Sequence, residues 1–348
     1  MKVIRVNASK SYNVVIEKKG LSRLGEYLTE LGLKGKVALI SDSNVMPIYG
    51  EEVTDVLTYH GYEVHPYAIE AGEESKCLTE YGKILSFLAN EGFTRSDSVI
   101  ALGGGVVGDL AGFAAASFMR GVHFINLPTS LLAAIDSSVG GKTAVDLPQG
   151  KNLVGAFYQP ELVLCDTDVF HTLPYEEIKN GLGEGVKYAI LEGGRIFDIL
   201  REGLTGKTLE EFIYLAVDAK RRIVEEDERE SGKRKFLNLG HTIAHAVETV
   251  TAFSVPHGIA VAYGVKEMTK LAVERGELAP EQGDEILALL RASDLDVSLD
   301  PVEELLPYFS ADKKRSGDSI TLVTIEGVGN CHLTEVKCKD LANYFGVL

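Results

Sequence analysis

Residues Ser98–Phe118 read SVIALGGGVVGDLAGFAAASF. A short apolar run, Ser98–Leu102, leads into three glycines, and Gly103–Gly108 fits the pattern G-x-G-x-x-G. After a strand, such glycines give a tight turn and let the backbone come close to a ligand. The small-residue run DLAGFAAASF that follows predicts a helix, whose leading N–H groups can hold a phosphate. In a dinucleotide-binding fold the motif follows the first strand, and an acidic ribose partner ends a second strand about 20 residues later. Here the loop lies about a hundred residues into the chain, and no Asp or Glu stands at the place required. The residues alone leave three readings open: a dinucleotide site, another phosphate site, or a sharp strand–helix turn under close packing.

The surroundings of the loop fix the fold class. Lys36–Ser41 and Glu63–Ala68 read as strands, while Tyr49–Tyr59 and Leu78–Glu91 carry helical spacing. This βαβα rhythm predicts a Rossmann-like parallel sheet covered by helices. The N-terminal MKVIRVNASKSYNVVIE alternates like a strand and has no apolar core of a signal peptide, so none is expected. After about Thr172 the texture changes. Tyr175–Leu191, Thr208–Glu228, Leu237–Val250, Gly258–Glu274 and Pro280–Ala292 all show 3.6-residue periodicity, which predicts a mainly helical second half. Ser319–Ile325 reads as a late strand, pairing with the segment after Gly329. The expected division is 1–172 for the α/β domain and 173–348 for the helical one.

Composition limits the partners. The chain has 348 residues and a net charge of −16, a surface that repels nucleic acid and anionic membranes. No run of about 18 apolar residues free of charge is present, so no membrane span is expected. Cys77, Cys165, Cys331 and Cys338 are scattered, a pattern that fits a reducing compartment and predicts cytoplasmic residence. An anionic ligand would need local clusters of Lys and Arg, so basic residues inside motifs carry extra weight.

Three further constellations stand out. Asp136–Thr143, DSSVGGKT, resembles the end of a Walker A motif, but Asp136 replaces the first glycine and a P-loop NTPase is rejected. Lys142, with Lys151 and Asn152 in QGKNLVG, suits an anionic oxygen or a solvated loop. His241 and His245 in NLGHTIAHAVE share one helix face, and His257 follows in VPHG. With Glu184 in GLGEGVKYAI they read either as a divalent metal site or as satisfied core histidines. His241 is followed by Thr242, so H-E-x-x-H is absent. Lys187, Lys220, Arg234, Arg120 and the run Asp312–Arg315 (DKKR) set cations beside these motifs.

Together these stretches resemble the 3-dehydroquinate synthases, within the sugar-phosphate cyclases and, more remotely, the metal-dependent glycerol-type dehydrogenases. The carriers are GGGVVGDLAGFAAASFMRG, LPTSLLAAIDSSVGGKTAVD, GKNLVGAFYQP, LPYEEIKNGLGEGVKYAI, DERESGKRKFLNLGHTIAHAVE and VPHGIAVAYG, in that family's order. The resemblance implies that NAD lies across the N-terminal domain. Asp42 and Asn44 match the adenosine-ribose contacts, Glu73 and Lys76 a further cofactor pair, and Gly104, Gly105, Val106, Val107, Gly108 and Asp109 the pyrophosphate loop. Thr129, Ser130, Asp136, Lys142, Lys151 and the stretch Val169, Phe170, His171 and Thr172 match other cofactor or pocket positions. Glu184, His241 and His257 match the ligands of one divalent metal, zinc or cobalt. Lys142, Asn152, Lys187, Lys220, Arg234, Asn238, His245 and Lys313 or Lys314 match substrate contacts. Arg120 matches an arginine contributed across a homodimer. Ser130, Ala134 and Ile259 depart from the family's usual Thr, Gln and acidic residue.

The implied reaction turns 3-deoxy-D-arabino-heptulosonate 7-phosphate into 3-dehydroquinate and phosphate, the second step of the shikimate route to aromatic amino acids. Transient oxidation at C5 acidifies C6–H, phosphate leaves, the ketone is re-reduced, and an aldol step closes the ring. The change is redox-neutral, so the enzyme is a lyase. Its rivals are a cyclase making another cyclitol, a metal-dependent NAD polyol dehydrogenase, and a binding protein that kept the fold.

Overall fold

A computed structural model of the chain describes residues 1–299, 301–309, 315–316 and 318–346. Two compact units are present, Met1–Leu173 and Pro174–Leu348. In the first, strands β1 (Lys2–Asn7), β2 (Ser11–Glu17), β3 (Lys36–Asp42), β4 (Glu63–Ile69), β5 (Ser98–Gly103) and β6 (His123–Pro128) precede a hairpin, β7 (Lys142–Leu147) and β8 (Gly150–Phe157), and a last strand, β9 (Leu162–Asp166). Helices α1 (Leu24–Glu30), α2 (Met46–Tyr59), α3 (Leu78–Asn90) and α4 (Gly105–Ser117) connect them. The sheet order is β1-β2-β9-β6-β5-β3-β4, and all neighbours are parallel except the β1–β2 pair. This is the α/β class that the alternating pattern predicts.

Every residue of β5 is buried, as the near-continuous apolar run of a central parallel strand requires. From β3 the chain steps outward to β4; from β5 it steps the other way to β6. The crevice beyond the carboxyl ends of β3 and β5 is therefore the topological switch point, where ligands bind in such sheets. Ser41 pairs with Leu102, so Asp42 and the glycines leave adjacent strands side by side.

Two local expectations are corrected here. The helix after the loop begins at Gly105, within the glycine run, and not at Asp109. Val107 draws it in: its side chain is buried over Gly103, where a Cβ would lie 2.6 Å from it. Lys142, Lys151 and Asn152, for which the sequence left a solvated loop as one reading, lie on the β7–β8 hairpin, because Thr143, Ala144 and Val145 bury themselves and β7 packs on α4.

The second unit contains helices α5 (Tyr175–Glu192), α6 (Gly194–Glu202), α7 (Leu209–Glu226), α8 (His241–Val250), α9 (His257–Glu274), α10 (Pro280–Ala292), α11 (Val302–Phe309) and α12 (Leu341–Tyr344). A small antiparallel sheet joins β10 (Arg315–Ser316), β11 (Ser319–Gly327) and β12 (Asn330–Lys337), so the late strand pairs as expected with the segment after Gly329. The periodic stretch Leu237–Val250 is not one helix. A 3-10 turn, Lys233–Asn238, ends first, and Gly240 at φ 76° redirects the chain into α8. Among the described residues no helix is long and apolar enough to cross a membrane.

Candidate active site

Glycines set the geometry of the second unit's site. A Cβ on Gly183 of α5 would lie 1.9 Å from the carbonyl oxygen of Gly258 in α9, and one on Gly258 would lie 1.7 Å from that of Asn180. A Cβ on Gly264 would lie 2.0 Å from the carbonyl oxygen of Gly240, just before α8. Three backbones thus approach more closely than any side chain would permit. The Asn180 side chain accepts from the Gly258 N–H at 2.7 Å, capping the first turn of α9.

This packing brings together Glu184 from α5 and the first residues of α8 and α9, His241 and His257. One ligand atom from each lies within 4.8 Å of the others. Glu184 Oε1 is 3.3 Å from His241 Nε2 and 3.1 Å from His257 Nε2. Both Nδ1 atoms are engaged on the far side, His241 with the Leu239 carbonyl at 3.1 Å and His257 with Glu248 Oε1 at 3.2 Å. Each imidazole thus turns Nε2 toward the same carboxylate oxygen, and outer partners of this kind fix the tautomer of a metal-ligating histidine. His245 completes a group of three imidazoles, its ring centroid 5.7 Å from that of His241 and 6.5 Å from that of His257.

The charge balance favours a cation. Glu184 is buried, which by itself would raise its pKa, but Lys187 and His241 hold it well below the usual carboxylate range. Lys187 Nζ lies 2.5 Å from Glu184 Oε2, and both side chains are 1% exposed. Burial lowers the proton affinity of His257, yet hydrogen bonds to Glu184 and Glu248 outweigh it and lift the pKa to about 9. Two imidazoles and a carboxylate with anchored outer atoms are the donor set of a catalytic divalent ion, so the residues present fit a metal. Glu248, buried and seven residues beyond His241, was missed in the sequence; its place two turns along the face of His241 was the available signal.

Among the described residues of this unit three Lys or Arg side chains are buried: Lys187, Lys220 of α7 and Arg234 of the 233–238 turn. α7 and that turn both pack against α5. Asn238 donates to Glu230 Oε1 at 2.8 Å. Lys313 and Lys314 lie outside the described residues.

In the first unit, the leading N–H groups of α4 point from Gly105, Val106 and Val107, with Gly104 extended before them and Gly108 closing the turn onto the Gly104 carbonyl at 3.0 Å. Cβ atoms on Gly104 and Gly105 would meet the hydroxyls of Ser130 and Ser137 at 3.4 and 3.2 Å, an ordinary contact and a tight one. Asp42 Oδ1 accepts the N–H groups of Asn44 and Val45, both at 2.9 Å. These features fit a dinucleotide pyrophosphate with an acidic ribose partner. Deeper in, buried Lys76 lies 2.5 Å from Asp109 and 4.0 Å from Glu73, which Lys151 approaches at 3.4 Å. Burial lowers the pKa of Lys76, but Asp109 and Glu73 more than offset it and keep the ammonium charged. Asp146, which the sequence reading passed over, accepts the Asn152 N–H at 2.6 Å and holds that residue at φ 55°.

The remaining predicted residues of this unit are spread along its edge loops and turns. Lys142 opens β7, exposed. Thr129 donates its N–H to the Gly103 carbonyl, and the Ser130 hydroxyl accepts from Ala133. Asp136 sits in a π-helical turn, Ala133–Ser137. Val169, Phe170 and His171 belong to a 3-10 turn ending at Thr172, and Tyr49 reaches the Val169 carbonyl and the Thr172 hydroxyl. Arg120 is exposed on a turn in which Met119, Arg120 and Gly121 all take positive φ.

Comparison with known proteins agrees with this architecture. Residues 66–180 match the family model described as 3-dehydroquinate synthase N-terminal, and 181–315 match 3-dehydroquinate synthase C-terminal. A 3-dehydroquinate synthase of Streptococcus gordonii is 41% identical over 341 residues, 96% of each chain. Among solved structures, 2-deoxy-scyllo-inosose synthase complexed with carbaglucose-6-phosphate, NAD+ and Co2+ superposes with a TM-score of 0.89 at 27% identity, covering 99% of both chains. The 2-epi-5-epi-valiolone synthase of Streptomyces hygroscopicus, with NAD+ and Zn2+ bound, gives 0.83 at 25% over 98% of both. On sequence over its full length and on fold, the chain belongs to the 3-dehydroquinate synthase family.

Proposed function

We propose that this chain is a 3-dehydroquinate synthase, releasing phosphate from 3-deoxy-D-arabino-heptulosonate 7-phosphate as the carbocycle closes. The observation that carries the reading beyond family membership is the burial of Lys187, Lys220 and Arg234 in the unit that holds the Glu184–His241–His257 cluster, in a chain of net charge −16. Lys187 is paired with Glu184, but a simple polyol dehydrogenase has no use for the other two buried cations, whereas a substrate carrying a carboxylate and a phosphate has.

Glu184, His241 and His257 would hold one zinc or cobalt ion, which lowers the pKa of a coordinated hydroxyl and polarises the carbonyl formed from it. Asp42, the turn Gly104–Asp109, Thr129, Ser130 and the Glu73–Lys76–Lys151 group would hold NAD, which supplies a reversible hydride acceptor. Lys187 keeps Glu184 ionised and able to ligate. Lys220, Arg234, Asn238 and His245 would grip the anionic substrate and orient it, which supplies much of the rate for a flexible reactant. Lys142 and Asn152 on the hairpin would add further contacts, with Lys313 or Lys314. The reading includes a homodimer, supported by exposed Met119, Leu153 and Phe157 in the same unit as Arg120, and cytoplasmic residence, which suits the four free thiols.

The test is to give the metal-loaded protein the seven-carbon substrate with substoichiometric NAD. Phosphate release without net NADH supports the lyase. Conversion of the added NAD to NADH without phosphate release identifies a dehydrogenase, and neither product refutes both.

A further inference from the structure

Between the end of α7 and the 233–238 turn, one side chain closes the loop that carries Arg234 and Asn238. Asp227 Oδ1 accepts from the Ser231 N–H at 2.9 Å and from the Ser231 hydroxyl at 3.0 Å. Its Oδ2 accepts from the Gly232 N–H at 2.6 Å and the Arg234 N–H at 3.0 Å. Four donors on three residues thus converge on one carboxylate. Burial would raise the Asp227 pKa, but the N–H groups of Arg234, Gly232 and Ser231 bring it down to about 2, so it is fully ionised at neutral pH. Within the loop so closed, Glu230 takes φ 61°, the guanidinium of Arg234 donates to the Glu228 carbonyl, and Glu230 receives the Asn238 amide. Arg234 itself is 1% exposed. Asp227 holds the Arg234 backbone, and the Glu228 carbonyl of the same loop holds its guanidinium.

Resting on the activity proposed above, we infer that Asp227 is a positioning residue for substrate binding: its carboxylate fixes the loop that aims Arg234 and Asn238 at an anionic group of the substrate. It does so without touching substrate or either cofactor. The change Asp227→Asn keeps size and shape but turns one acceptor into an N–H donor facing N–H groups, which opens the loop.

The experiment compares wild type, Asp227→Asn, Arg234→Lys and the double variant in the holoenzyme, measuring KM and kcat by phosphate release, Co2+ affinity by visible absorption, and NAD affinity. Asp227→Asn is expected to raise KM at least tenfold, with kcat within threefold and both cofactor affinities within twofold of wild type. In the Arg234→Lys background it adds less than threefold, the share that passes through Asn238, because most of its effect passes through Arg234. Ser231→Ala, which removes one bond only, raises KM in the same direction by two- to threefold and covers the case in which Asp227→Asn fails to fold. An unchanged KM, full additivity with Arg234→Lys, or equal losses of substrate, metal and NAD binding would each overturn the inference while the wild type still turns over. A wild type that releases no phosphate overturns the activity reading itself, and this inference with it.

Discussion

Replacing Gly258 by alanine tests whether close backbone approach builds the metal centre. The new Cβ would lie 1.7 Å from the Asn180 carbonyl oxygen, and Cβ contacts below 3.0 Å are essentially never seen. The obstruction is backbone, so α5 and α9 must separate by about an ångström or more, since close-packed interiors have no slack to absorb it. Overpacking of this kind costs about 1–3 kcal/mol. The larger effect falls on the site, because His257 precedes Gly258 and Glu184 follows Gly183 on the opposing helix. Metal ligands must sit within about 0.2 Å of their ideal distances. Gly258→Ala and Gly183→Ala are therefore expected to weaken Co2+ binding at least tenfold, read from the visible spectrum of the bound ion, and to lower the melting temperature. Gly82→Ala in α3 is the control: nothing lies within 4 Å of its Cβ, so it leaves metal binding alone and gains up to about 1 kcal/mol. If Gly258→Ala bound Co2+ within twofold of wild type and melted at the same temperature, the packing argument would be wrong.

Other consequences are equally measurable. Glu248→Gln removes the charge behind His257, and metal affinity should fall about 10- to 100-fold, by competition with a chelator. Lys76→Met leaves the half-buried Asp109 carboxylate without its cation, and unfolding in urea should show a loss of roughly 1–3 kcal/mol. Asp227 has a folded pKa near 2, below its ordinary value of 3.8. Its stabilising contribution is thus complete above that ordinary value and is lost as pH falls through about 2. Carboxyl NMR should follow that titration, and Asp227→Asn should abolish this part of the acid response; a midpoint near 3.8 would contradict the hydrogen bonding described.

The sequence carried the sheet well because each parallel strand is an apolar run with its own composition. Ser98–Gly103 and Lys36–Asp42 are legible alone. Pairing is not, since nothing local says that β3 lies beside β5, and this is why Asp42 could be matched only through the family resemblance. Val107 illustrates a second limit: its contact with Gly103 starts α4 inside what composition marks as loop. The break at Leu239–Gly240 was hidden because the apolar spacing continues on both sides of a left-handed glycine. At the metal cluster the residue types were visible, but the supporting shell was not. Glu248 acts through one hydrogen bond to His257, and Asp227 gathers four donors from Ser231, Gly232 and Arg234, contacts that only the folded chain makes. DERESG did hold a signal for the latter, an Asp followed by Ser-Gly, the composition of a side-chain-closed turn.

The reversal of strand order between β3 and β5 bears on how freely this architecture can change. Asp42 and the glycine turn are joined laterally, by the ladder in which Ser41 faces Leu102, and not through the sixty residues that separate them in the chain. That excursion through α2, β4 and α3 can lengthen or shorten without moving either partner. A slip of one residue between β3 and β5 would displace both at once and turn every side chain of the strand to the other face. Length along the chain is thus a free variable at this site, while register across the sheet is the quantity that selection has to guard.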